Sequence, residues 1–122
     1  MKASEVIERA DRLRPNTHEE SDKRVWLNQI EKHVADHINL HVGDEAVPGD
    51  MLDVSKDPTM LLEGADAQVY VLYLMAMYDY YNGDIDRYNQ GAQVFGEAMD
   101  EWRAAYRRGH MPKPVGGRWK EV

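Results

Sequence analysis

The chain has 122 residues, a formal net charge of −7 and no cysteine. A chain of this length supports one modest core. Its 43% hydrophobic and 30% charged residues are a folding mixture rather than a disordered one. Without cysteine there are no disulfides, no Cys-zinc sites and no thiol nucleophiles. No apolar run approaches the ~20 residues of a membrane helix. The stretch from Met1 to Arg14 is charged throughout and lacks a signal peptide's apolar centre. The expected location is therefore the cytoplasm, or a particle assembled there, and no membrane partner is expected.

A first helix is predicted from Ser4 to Arg14. Val6, Ile7, Ala10 and Leu13 recur at helical spacing. Ser4 is placed to cap it, and Pro15 stops it. Thr17 and Glu20 form a capping-box pattern that opens a second helix. That helix runs to about His41 on a stripe of Trp26, Leu27, Ile30, Val34 and Ile38, and Gly43 is its stop signal.

Residues 42–65 show no helical period and hold Pro48, Gly49, Pro58 and Gly64. Long connections of this kind are usually functional or disordered. Within this one, Thr59 to Leu62 reads either as a short strand or as a segment pinned on the core.

A third helix is predicted from Asp66 to Asn82. Its centre, Val69 to Tyr78, is apolar or aromatic on every face, so it must be buried all round. Two arrangements satisfy that demand. One face could pack on a neighbouring subunit, through Tyr70, Val71, Leu74, Met75 and Tyr78. Alternatively, the other three helices could wrap it.

Asn82-Gly83 closes the third helix, and Asp84 opens a fourth. Ile85, Tyr88, Ala92, Phe95, Met99, Trp102 and Tyr106 alternate at spacings of three and four, a two-in-seven seam. The short turn makes the last two helices an antiparallel hairpin. From Gly109 the period stops, and the chain reads as an extended arm ordered only if something holds it. The expected fold is thus mainly α: a small four-helix bundle with a helical hairpin core. A helical domain would span residues 1–108, with a basic arm at 109–122.

Charge divides along the chain. Residues 1–102 hold 9 Lys/Arg and 21 Asp/Glu, net −12, whereas residues 103–122 hold 6 Lys/Arg and one acid, net +5. An acidic body argues against a general nucleic-acid binder. A basic arm on it suits a segment that seeks acidic surface, on a partner or on a copy of the chain. The plain alternative is a solvated tail.

His33, His37 and His41 are the sharpest chemical candidate. Spaced by four, they share one helical face, and two such imidazoles can hold zinc or copper. The third is harder to converge, since each step rises ~6 Å. The metalloprotease pattern is absent, because Val34 follows His33 and Ile38 follows His37. The other reading makes these histidines the edge of the buried stripe. Asp84 to Tyr88 opens like a calcium loop, but Phe95 stands where the closing Glu belongs. The glycines are too dispersed for a phosphate cradle, and no serine lies in a nucleophile elbow. The tyrosines of the acidic half suit packing better than stacking on nucleic acid. The chain is not expected to be an enzyme and no cofactor is expected. A small cytosolic metal-binding protein is the alternative function, and a nucleic-acid-touching arm a third.

Three stretches together resemble the head–tail connector (adaptor) proteins of tailed phages. They are Glu5 to Asn16, Trp26 to Glu31, and Tyr73 to Ala76 with Asn82 to Asn89. The likeness spans roughly residues 4–106 with a gap across 43–60, and rests on order and chain length. The acidic middle loop and the C-terminal end depart from it. The resemblance implies a non-enzymatic virion protein, a ring of usually twelve subunits beneath the portal. Such a ring carries the stopper or tail-completion proteins and lets genomic DNA pass without sequence-specific binding. A repeated heterologous interface can close into a ring, and acidic channel walls would repel DNA rather than hold it. On this view Arg107, Arg108, Lys113, Arg118 and Lys120 meet acidic surface on the portal or an adjacent subunit, with Trp119 as the apolar anchor.

Overall fold

A computed structural model describes residues 1–41 and 53–109 of the chain. It holds four α-helices: α1 (Ala3–Leu13), α2 (Glu20–His41), α3 (Gln68–Tyr81) and α4 (Ile85–Gly109). Two 3₁₀ turns, Val54–Lys56 and Gly64–Ala67, lie between α2 and α3. No strand occurs among the described residues; the one ladder-like pairing is an isolated bridge between Lys2 and Thr59. The mainly α, four-helix expectation stands, with boundaries shifted by a residue or two.

The start of α1 is held from afar. Ser4 does not cap the helix, because it already lies inside it. Its N–H and its hydroxyl donate to the carboxylate of Asp57, at 2.7 and 2.9 Å. The Ala3 N–H goes to the Pro58 carbonyl at 3.1 Å, and the Lys2 N–H to the Glu5 carboxylate at 2.9 Å. Three of the free N–H groups at a helix start are thereby satisfied. Asp57 has φ 55°, the left-handed region that Asp enters more readily than most residues.

The chain around Asp57 is pinned, not paired as a strand. Met60 N–H donates to the Met1 carbonyl at 2.9 Å, and Arg24 bonds the Val54 carbonyl. Val54, Met60 and Leu62 are buried. Three anchored apolar side chains give this stretch a core contact without any ladder.

The Thr17–Glu20 capping box does not form: α2 begins at Glu20 and Thr17 is exposed. Asn16 takes over the turn. Its Oδ1 accepts the His18 N–H at 3.0 Å, and its amide donates to Asp11 and to the Arg14 carbonyl, each at 3.0 Å. An Asn side chain bonding two residues on holds the backbone out of the helical region.

Within the subunit the other three helices wrap most of α3. It packs on α1, α2 and α4, and on the 3₁₀ turn before it. The turn into α4 closes as the sequence predicts. Gly83 has φ 79°, and Asp84 Oδ1 accepts the Arg87 N–H at 3.2 Å, capping α4. Met99 and Trp102 of the α4 seam are buried, Phe95 and Tyr106 are half-buried, and Ile85 is exposed. The seam therefore meets the bundle along its middle and C-terminal part only.

Candidate functional site

Two buried polar networks fasten the helices. In the first, Glu31 of α2 is 2% exposed, yet it faces no cation among the described residues. Its carboxylate accepts the Tyr70 hydroxyl at 2.5 Å and the Leu61 N–H at 3.0 Å. The Tyr70 oxygen in turn accepts the Leu62 N–H at 2.9 Å. Burial pushes the Glu31 carboxyl upward, against the pull of these donors. Burial and the adjacent carboxylate push the Tyr70 phenol above its ordinary range.

The second network joins α1, α2 and α3. Asp11 accepts from Lys23 Nζ at 2.9 Å, from Tyr78 Oη at 2.8 Å and from the Asn16 amide. Burial alone would raise the Asp11 carboxyl; the three donors outweigh it and hold it low. Beside it, Arg14 pairs with Asp79, whose side chain is almost wholly buried. The Lys23 ammonium also lies 5.4 Å from the centre of the Tyr78 ring. Every donor here is spent on a fixed acceptor, so both networks are fasteners rather than reactive centres. Sequence periodicity missed them, because Glu31, Lys23 and Asp79 occupy buried helix positions that polar residues rarely take.

The assigned subunit interface is corrected by burial. Tyr70, Val71, Leu74 and Tyr78 have no exposed surface, since α1, α2 and α4 cover them within the subunit. They cannot touch a second copy of this fold. Met75 alone of the five keeps surface. It lies on the outer side of the α3–α4 hairpin, in a groove of about 270 Å³ with Leu72, Gly91 and Val94. Arg14 and Arg87 stand at its rim. Val94 is 50% exposed, and Tyr80, Tyr81 and Ile85 near the hairpin turn are also exposed. Tyr81 stacks on Trp26, and Tyr80 meets Tyr88 edge-on, each at 5.1 Å between ring centres. The groove at Leu72, Met75 and Val94 is the candidate protein interface.

The histidines separate. His33 is exposed, while His37 is buried against the rings of Trp102 and Tyr106, at 5.1 and 5.6 Å. Among the described residues no group of three His, Cys, Asp or Glu is placed to hold a metal ion. The His41 side chain lies outside the described residues. Arg107 and Arg108 are exposed on the last turn of α4. Lys113, Arg118, Trp119 and Lys120 lie outside the described residues, as do residues 42–52 of the middle loop. No described helix is long and apolar enough to cross a membrane.

Compared with protein-family models, with curated proteins and with solved structures, the chain has no match.

Proposed function

We propose that the chain is a structural protein of the tailed-phage neck, a head–tail connector that joins the portal to the stopper and tail around the DNA channel. The observation that carries this reading is the uncovered apolar face of the α3–α4 hairpin, built on Leu72, Met75 and Val94. A hairpin whose inner face fills its own core and whose outer face is apolar is suited to a repeated contact with the next copy. The resemblance stated from the sequence points the same way. Its first stretch supplies Asp11, Arg14 and Asn16 of the second polar network, and its last supplies the turn at Asn82-Gly83-Asp84. The ring, of about a dozen subunits on the family pattern, places the outer face between neighbours and the basic arm on acidic surface.

Native mass spectrometry of the full chain, alone and with portal protein, tests this. A closed oligomer of the chain, or a stable complex with portal, is the expected result. A chain that stays monomeric and passes portal by overturns the connector reading.

A further inference from the structure

A second groove lies further along the α3–α4 pair, towards the C-terminal half of α4. It runs between the start of α3 and the C-terminal half of α4 and holds about 330 Å³. Val69, Ala98, Trp102 and Ala105 give it an apolar lining, and Asp66 and Glu101 stand at its edges. Both acids are exposed, and neither is in an ion pair among the described residues. The groove thus offers an apolar floor with two uncompensated negative charges.

The chain itself carries a matching ligand. Residues 110–122 hold three bases, Lys113, Arg118 and Lys120, against the one acid Glu121, with Val115 and Trp119 between them. Chain length and position allow the match. Helix α4 ends at Gly109, four residues past Ala105, or ~6 Å along the axis. The 13 residues beyond span up to ~45 Å when extended. That reach exceeds the ~10 Å from Ala105 back to Ala98 along α4 several times over. A segment tethered so close meets its groove at an effective concentration in the millimolar range.

We infer that the C-terminal segment, residues 110–122, docks in the Asp66–Glu101 groove of its own subunit, with Trp119 on the apolar floor and the bases against the two acids. The inference does not need the connector reading. If both hold, the free subunit keeps its partner-binding arm on itself, and an acidic partner surface must compete it away.

Site-specific photocrosslinking of the full chain tests the docking, with p-benzoylphenylalanine replacing Trp119. The expected product is an internal crosslink, in the monomer band, to peptides containing residues 65–69 or 98–105. The double charge reversal Asp66→Lys/Glu101→Lys, at two exposed sites, should cut that yield at least fivefold with an unchanged circular dichroism spectrum. Raising salt to ~0.5 M should weaken it in the unreversed chain too. Crosslinks found only between copies, crosslinks elsewhere on the body, or a yield indifferent to both charge reversal and salt would each overturn the inference. Oligomer formation is read separately from the unlabelled chain, so a failure of docking and a failure of the connector reading give different results.

Discussion

Tyr70 donates to Glu31 across 2.5 Å at the point where α2, α3 and the chain leading into α3 meet. The pair fastens three parts of the fold that hydrophobic contact alone would leave free to slide. Truncating Glu31→Ala strips the acceptor from two donors, the buried Tyr70 hydroxyl and the part-buried Leu61 N–H. Such orphaned groups cost ~1–3 kcal/mol each, so the variant should lose about 3 kcal/mol in urea unfolding. Tyr70→Phe should cost less, since it leaves Glu31 its bond to Leu61.

The same pair sets a pH dependence whose sign can be worked out. Burial raises the Glu31 carboxyl in the folded chain, so folding favours its protonated form. Its contribution to stability is full below the ordinary carboxylate range and is lost as pH rises through the raised value. Wild type should therefore gain stability relative to Glu31→Gln as pH falls from about 7 to about 4. A difference that shrinks on acidification would contradict the assignment.

Asp57 carries the opposite sign. Hydrogen bonds from the Ser4 N–H and then the Ser4 hydroxyl hold its carboxyl below the usual range. The stability it contributes is present at neutral pH and is lost as pH falls through that lowered value. Asp57→Gly keeps the left-handed backbone at no steric cost and removes only the remote cap. That variant should melt lower at pH ~7, and the deficit should vanish in acid. Hydrogen exchange should then speed up first at Ala3 to Val6.

Arg14 and Asp79 form the most buried ion pair among the described residues. Removing the arginine alone strands a carboxylate in the core, at a typical cost of 3–5 kcal/mol. Arg14→Ala should approach the lower end of that range, because the arginine side chain is 24% exposed. The double variant Arg14→Ala/Asp79→Ala should be more stable than the sum of its single changes predicts. Additive losses would mean that the two side chains act separately.

Much of this architecture was legible in the sequence, for a physical reason. Helical period, the proline after α1 and the Asn82-Gly83-Asp84 turn are local signals, and they placed four helices and the hairpin. The remote cap at Ser4 was not legible, because its acceptor lies 53 residues away and no local pattern announces it. The capping box at Thr17 failed for the converse reason: Asn16 offered the backbone a competing bond one residue earlier. The interface assignment failed because an all-round apolar helix says only that it is buried. The three helices that cover Tyr70, Val71, Leu74 and Tyr78 are a tertiary fact. His37 likewise read as a metal candidate by spacing, and the fold places it against two aromatic rings.

The outer face of the hairpin separates stability from assembly. Val94 is half-exposed on α4, whereas Val71, on α3, has no exposed surface. Val94→Arg puts a charge where the subunit meets solvent, and surface changes of this kind usually move stability by less than ~0.5 kcal/mol. In a neighbour's interface the same charge would be desolvated without a partner, a penalty of several kcal/mol. Val94→Arg should thus leave the melting curve nearly unchanged while shifting the oligomer's dissociation at least a hundredfold by analytical ultracentrifugation. Val71→Arg should do the reverse, unfolding the subunit before any question of assembly arises. If Val94→Arg assembles like wild type, the repeated contact lies on another face, of which the groove at Tyr73, Phe95 and Met99 is the next to test by substitution.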